Sequence, residues 1–344
     1  MPRRALTLLL AGITVIAAAV VAAVVPVPYV ILSPGPTLNT LGKAPGGQPL
    51  INIKGHLINS TSGHLNMVTV DFEGGPGDEI NIFTALRAWL DPHNAVVPQQ
   101  EVFGTSESAQ QVLKQDVQEM AGSQQVATAA ALNYLKIPFK TLIQVASTEP
   151  GLPAAKVLKA GDIIADVDGA PIGSLSALSA QIRSHPVGSP LKLTVIRKGK
   201  TVPLVIRSVK SQGRAEIGVV VVDQYRFPFT VSFSVGNIGG PSAGMMFALG
   251  IIDKLGKTNL TGGRFIAGTG EISPDGAVAP IGGIQQKMAG ARAQGATVFL
   301  SPAGNCSDAR GAVPAGMKLI KVSTLAGAVS ALQALKAGRP TPSC

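Results

Sequence analysis

Apolar and polar positions change rhythm several times along the chain, and those changes mark out its elements. Ala5 to Val25 runs without a charge, long enough as a helix to cross a bilayer. Pro26 to Pro49 is rich in proline and glycine, with Ser33-Pro34-Gly35-Pro36-Thr37 as a turn cluster, and reads as a stalk. Leu65 to Phe72 alternates like a strand, and Ile80 to Leu90 is a short helical stretch holding the only tryptophan, Trp89. Ser108 to Leu135 reads as mainly helical, with Val112, Leu113, Val117 and Met120 as its apolar face. Leu175, Leu178 and Ile182 mark another helix, followed by a strand from Leu191 to Arg197 and a turn at Lys198-Gly199-Lys200 into Val202 to Val209. Phe229 to Val235 alternates and feeds a glycine cluster, after which Met245, Met246, Leu249 and Ile252 recur at helical spacing. Gly283 to Gln294 is a short helix that Gly295 is placed to end. Strands at Ala296 to Ser301 and Lys318 to Val322 and a helix from Thr324 to Lys336 complete an α+β, multidomain pattern.

Chemistry concentrates between Gly236 and Gly290. Gly-Asn-Ile-Gly-Gly-Pro-Ser-Ala-Gly (236–244) places Ser242 at a strand-to-helix turn, near the positive end of a helix dipole. Small neighbours leave the hydroxyl uncovered and let backbone N–H groups near Gly240 and Ala243 reach an oxyanion; Pro241 has none to offer. Lys287 sits on the edge of the stripe made by Ile284, Met288 and Ala291. Burial disfavours an ammonium, so such a lysine can serve as a neutral base toward a serine hydroxyl. His56, His64, His93 and His185 all lie upstream of the Ser242 segment, without metal-ligand spacing. Ser273, Ser301 and Ser307 lack a glycine-flanked helix start, and Asp275 belongs to an ordinary turn. Taken singly, the Gly-Pro-Ser-Ala-Gly turn is an ordinary helix start and Lys287 a snorkelling side chain; their joint occurrence favours a nucleophile and its base.

Gly-Pro-Ser-Ala-Gly, Thr269-Gly270-Glu271-Ile272, Val278-Ala279-Pro280-Ile281-Gly282-Gly283 and Lys287, in this order, resemble the proteolytic domain of Lon-type peptidases. The resemblance spans residues 214–336 and implies a Lon-type α+β fold with Ser242 as nucleophile, Lys287 as general base and Thr269 beside the lysine amine. It also implies peptide-bond hydrolysis of unfolded or flexible segments without a metal or other cofactor. One departure is Gly239, where ATP-dependent Lon proteins carry an aspartate. Gly250 to Thr258 imitates a phosphate-binding loop but has five residues between its glycines where the motif requires four. ATP binding is therefore not expected, and no ATPase module accompanies the proteolytic segment.

Residues 138–210 form a further block. Ala160-Gly161-Asp162 and Val167-Asp168-Gly169, followed by the helix and the two strands, resemble a PDZ domain of the bacterial protease type. That resemblance implies a β-sandwich or barrel that binds extended peptides, among them C-termini, with its carboxylate-binding loop near Tyr134 to Phe139. Together the motifs resemble bacterial membrane-anchored PDZ-containing Lon-like proteases that lack the ATPase. The expected organisation is an anchor at 1–26, a stalk and α/β region at 27–137, the PDZ domain at 138–210, the proteolytic domain at 214–336 and a tail at 337–344. A non-catalytic peptide-binding or chaperone-like module, and a regulator that cleaves only itself or one partner, are the competing readings.

The charge of +10 is scattered and unaccompanied by an aromatic-plus-basic pattern, which argues against nucleic-acid binding and leaves solubility as its reading. Met1-Pro2-Arg3-Arg4 ahead of the apolar run favours a cytoplasmic N-terminus, with the bulk of the chain outside the cell membrane. Length favours an uncleaved single-pass anchor through residues 5–25, while alanine-rich triplets near residue 20 leave signal cleavage open. An oxidising compartment permits a Cys306–Cys344 disulfide; two free thiols are the alternative, which spacing does not decide. A homo-oligomer is likewise left open.

Overall fold

The computed structural model describes residues 3–103, 108–211 and 213–344, so Met1 and Pro2 of the basic start lie outside the described residues. Two compact units are present, one formed by the chain up to Ile137 together with Phe229–Cys344, the other by Pro138–Pro228. In the first, α1 (Arg3–Val24) is followed by β1 (Pro26–Val27), β2 (Tyr29–Asn39), β3 (Ile51–Lys54), β4 (His64–Glu73) and β5 (Ile80–Asn81). Then come α2 (Ile82–Trp89), β6 (Ala95–Pro98), α3 (Gln99–Val102) and α4 (Ala109–Tyr134). The expected stalk is absent from Pro26 to Asn39: β2 is a central strand, paired antiparallel with both β4 and β6. Its prolines flank a register break between Pro34 and Thr37, where a missing N–H costs the ladder little. Gly35 belongs to that break because a Cβ there would run into Thr69.

Helix α4 starts on a capping box between Ser108 and Gln111. Of its expected apolar face only Met120 is buried, and Leu113 and Val117 are exposed. The helix instead buries a small-residue face, including Ser123, Ala127, Ala130 and Ala131. Small side chains let α4 pack closely on the buried, largely apolar helix that follows the second unit.

The second unit contains β7 (Lys140–Thr148), β8 (Ile163–Val167), β9 (Ala170–Pro171), α5 (Leu175–Arg183), β10 (Pro190–Arg197) and β11 (Lys200–Arg207). It continues through β12 (Val209–Ser211) and β13 (Arg214–Glu216) to β14 (Val219–Arg226). Its main sheet runs β11-β10-β8-β7-β14, with β9 alongside β8. The expected boundary at 210–214 therefore moves to 228: β14 pairs with β7 along its whole length, and Val219 and Val221 pack on this unit's core. Asp162 explains the Ala-Gly-Asp motif. Its carboxylate is buried, accepts from the Lys159 N–H at 2.8 Å and is bridged by Arg197, each oxygen at 2.7 Å.

After this insertion the first unit resumes with β15 (Thr230–Phe233), α6 (Gly244–Leu255), β16 (Phe265–Gly268), β17 (Glu271–Ile272) and β18 (Val278–Ala279). It ends with α7 (Ile284–Ala293), β19 (Val298–Pro302), α8 (Cys306–Arg310), β20 (Lys318–Val322) and α9 (Leu325–Lys336). The six-stranded sheet β20-β19-β16-β4-β2-β6 joins strands from both sides of the insertion, and β15 pairs with β3. Residues 27–137 thus share one core with the expected proteolytic segment and do not form a separate region. Cys306 is bonded to Cys344, and the tail is further held by the Lys321 N–H donating to the Pro342 carbonyl.

The arginine holds the Asp162 carboxyl below the usual range, chiefly by hydrogen bonding. Its contribution is therefore present above the unfolded aspartate value of about 4 and lost as pH falls through the lower folded value. Asp162→Asn is expected to destabilise the second unit by about 2–4 kcal/mol at neutral pH. The gap from the unsubstituted protein should close in acid, as read from thermal melts across a pH series.

Candidate active site

The nucleophile segment has little regular structure of its own. Residues 234–243 link β15 to α6, and Ser242 lies two residues before the helix, half-buried. Contacts from distant elements fix it. The Ser242 carbonyl accepts from the Gly270 N–H at 2.8 Å and from Thr269 Oγ1 at 3.0 Å. On the other flank, Ser123 Oγ of α4 donates to the Pro241 carbonyl at 2.9 Å, and the Gly240 N–H donates to the Asp116 carbonyl at 3.1 Å. That last bond removes Gly240 from the expected oxyanion donors. The N–H groups of Ser242 and Ala243 have no protein acceptor among the described residues and stand at the positive end of α6.

Lys287 comes from α7, whose Ile284, Met288 and Ala291 belong to a buried cluster. The helix is entered through Gly283, which is left-handed at φ 68° and would drive a Cβ to within 2.7 Å of Val70. Farther along, a Cβ on Gly290 would come within 2.8 Å of the Gly35 carbonyl, so α7 crosses β2 at backbone range. This close seat turns the lysine inward, only 4% exposed. Its Nζ donates to Ser242 Oγ at 2.8 Å and to the fully buried Thr269 Oγ1 at 3.4 Å. Burial lowers the amine from 10.5 to about 8. The structure thus brings Ser242, Lys287 and Thr269 together, whereas Cys306 and Cys344 join elsewhere in a disulfide.

Three positions here carried no signal in the sequence pattern. Asp116 and Ser123 lie on α4, far from the glycine motifs in the chain. Asn305 holds the loop ahead of α7 by accepting from the Ile281 N–H at 2.9 Å and donating to its carbonyl at 2.8 Å. The departure at Gly239 acquires a reason as well. A Cβ at 239 would lie 2.5 Å from Asp116 Cβ, so the α4 aspartate fills the room that a side chain there would need.

Ser242 and Lys287 line a cleft of about 720 Å³, with Val68, Val70 and Phe72 of β4 on one wall and Asp116 on another. Strand β16 pairs only with His64–Met67 of β4, and no strand among the described residues covers Val68 to Glu73 on that side. Burial, with Glu119 nearby, pushes the Asp116 carboxyl up.

The second unit has its own groove, between Leu178 and Ile182 of α5 and Val219 and Val221 of the edge strand β14. Ile217 and Gly218 also line it; Gly218 has φ 70° and no room for a Cβ against Leu152. The expected loop from Tyr134 to Phe139 is elsewhere occupied: Tyr134 closes α4, and Phe139 packs on Tyr225 and Phe227.

Two protein families match separate stretches of the chain. The PDZ domain family matches residues 138–207, and the Lon protease (S16) C-terminal proteolytic domain matches residues 233–333. Periplasmic serine endoprotease DegP of Escherichia coli K12 is 48% identical over 59 residues, 17% of this chain and 12% of that protein. Lon protease of Heliobacterium modesticaldum is 40% identical over 79 residues, 23% of this chain and 9% of that protein. The chain thus spans about a tenth of the length of these curated relatives. Among solved structures, the PDZ domain of the SdrC-like protein from Listeria monocytogenes is 30% identical, with a TM-score of 0.22, over 23% of this chain and 86% of that one. The chain therefore carries a PDZ domain followed by a Lon protease (S16) C-terminal proteolytic domain.

Proposed function

We propose that this protein is a membrane-anchored, ATP-independent serine endopeptidase acting on unfolded or flexible protein segments outside the membrane. The observation that carries this reading is the buried Lys287 amine 2.8 Å from Ser242 Oγ inside an open cleft. At pH 7, an amine with a value of about 8 is neutral in roughly one molecule in ten. In that form its lone pair accepts the serine proton as Oγ attacks the scissile carbonyl. The Ser242 and Ala243 N–H groups then hold the oxyanion, Lys287 returns the proton to the leaving amine, and water releases the acyl group. Thr269 keeps the amine aimed while its own hydroxyl is tied to the Ser242 carbonyl.

The substrate would lie extended along the uncovered Val68–Phe72 edge of β4, exchanging main-chain hydrogen bonds with it. The groove beside β14 would select it, with Ile217 and Gly218 receiving a terminal carboxylate. Helix α1 would hold the chain in the bilayer: its Arg4–Val24 stretch has a mean hydropathy of 2.6, and none of its most apolar window is buried among the described residues. Gly250 lies inside α6 and not at a strand-to-helix turn, which supports the ATP-independent reading.

Ser242→Ala and Lys287→Ala are each expected to lower kcat/KM on an unfolded protein by about 10³-fold or more. The unsubstituted enzyme should show a limb rising with pH and levelling above about 8. A flat profile, or an active Lys287→Ala, would remove the lysine from its role.

Lys287→Met tests the cost of the same burial. The folded value lies below the unfolded one, so the penalty is full below about pH 8 and vanishes as pH rises toward 10.5. The variant is expected to be inactive yet more stable by about 2–3 kcal/mol at pH 7, the gain shrinking in alkali. Denaturant titrations at pH 7 and pH 10 measure both arms.

Gly239→Asp should collide with Asp116 and displace the Ser242 loop, lowering kcat/KM about 10²-fold. Asp116→Gly in the same chain clears that space and is expected to restore most of the loss. Absence of rescue would show that the two positions do not compete for one volume.

A further inference from the structure

Helix α2 leaves a large apolar face without a partner. Ala85 and Ala88 turn inward, onto the small cluster that includes Ile31 and Ile80. Phe83, Leu86, Trp89 and Leu90 turn outward and are 50%, 49%, 70% and 77% exposed. At 100° per residue these four occupy one arc, and Arg87 stands at its edge. So concentrated an apolar patch, carried on eight residues and their cap, marks a surface meant to be covered.

The path of the chain says by what. Only Val25 separates α1 from β1, and β1 pairs with β5, setting Pro26 opposite Asn81. Asn81 is the residue that caps α2, its side chain accepting from the Thr84 N–H at 3.0 Å. The start of α2 is therefore pinned beside the end of α1, and the two helices touch. We propose that α2 is an interfacial helix, seated by Phe83, Leu86, Trp89 and Leu90 in the headgroup–acyl boundary of the bilayer that α1 spans.

This inference rests on α1 being the membrane anchor. Given that anchor, the lipid boundary lies within about two residues of chain, roughly 7 Å, of the α2 cap, whereas a second copy would have to find the same face by diffusion. The forces are apolar, with tryptophan suited to the wet edge of the acyl region. Electrostatic attraction to anionic lipid contributes little, since Arg87 is the helix's single cation and Glu79 and Asp91 flank it. A consequence reaches the cleft. Strand β6 follows α2 and pairs with β2, and its Val97 lines the cleft opposite Val30. Seating α2 would hold that wall about 15–20 Å above the lipid, at five residues of strand from Val25. The substrates reached most readily would be segments close to the membrane surface.

Trp89 is the only tryptophan, which makes the test direct. The full chain is reconstituted in phosphatidylcholine vesicles with or without a spin-label quencher at a shallow acyl position. Retention after an alkaline carbonate wash reports the anchor separately. The expected result is retained protein with blue-shifted Trp89 emission, quenched at least about 2-fold by the lipid label and unchanged by added anionic lipid. The Leu86→Glu, Leu90→Glu double variant keeps Trp89 and the buried face, and should lose the quenching while Ser242 still reacts with a serine-directed phosphonate. Retained protein whose Trp89 is quenched by aqueous iodide and not by the lipid label would overturn the inference and leave the anchor standing. Blue-shifted emission that disappears at one chain per vesicle would also overturn it, assigning the face to a second copy. Release by carbonate would refute the anchor and the docking together.

Discussion

The proposed chemistry depends on holding one lysine amine out of water within hydrogen-bond reach of a serine hydroxyl. Burial lowers the Lys287 amine. On the proposed reading none of the four histidines takes part in the chemistry. The helix that carries the lysine crosses β2 at backbone range through Gly35 and Gly290, and it enters through a left-handed Gly283 against Val70. Its apolar neighbours Ile284, Met288 and Ala291 belong to a buried cluster, and Lys287 is itself only 4% exposed. Those glycines act on the chemistry at one remove: they set how deep α7 sits, and depth sets how readily the amine gives up its proton.

The partner hydroxyl is held in a different way. Ser242 belongs to neither a strand nor a helix, and its loop would wander without the contacts on its flanks. The β16–β17 turn takes one flank through Thr269 and Gly270, and α4 takes the other through the Asp116 carbonyl and the Ser123 hydroxyl. Helix α4 arrives from the N-terminal side of an inserted unit of some ninety residues, Pro138–Pro228. The long excursion carries little thermodynamic penalty, because the insertion folds on its own core and closing a loop grows costlier only slowly with length.

How much of this was legible in the sequence follows from which contacts are local. Ser242, Lys287 and Thr269 lie in short motifs with fixed offsets, and helix ends such as Ser108 and Thr324 announce themselves by capping. Strand β2 was not legible. Its prolines and glycine suggest a stalk, and only the break in register beside Thr69 turns those residues into assets of a central strand. The α4 face was misjudged for a related reason. Leu113 and Val117 look like core but stay exposed, while alanines and Ser123 are buried, because the helix contact selects for closeness above apolar bulk. Strand β14 falls on the other side of the expected boundary, since its four consecutive valines carry no mark of the sheet they will join. Gly239 could be noticed as an absence, but its cause, Asp116, lies more than a hundred residues away.

On the proposed ATP-independent reading, a cleft without an energy source constrains what can enter it. Ordering a peptide as a strand costs about 1–2 kcal/mol per residue in backbone entropy, so five residues along Val68–Phe72 would need about 5–10 kcal/mol returned in contacts. Ladder hydrogen bonds each give back only about 1 kcal/mol net. The balance favours chains that are already extended, or that are delivered. On the proposed reading, a PDZ groove holding one end of a substrate would supply the second route by raising its local concentration at the cleft to the millimolar range, for a linker that spans the two sites. Selection would then rest on tethering and proximity, with a modest demand on the cleft itself. The cleft walls, which mix apolar Val68, Val70 and Phe72 with acidic Asp116 and Glu119, are compatible with that modest demand.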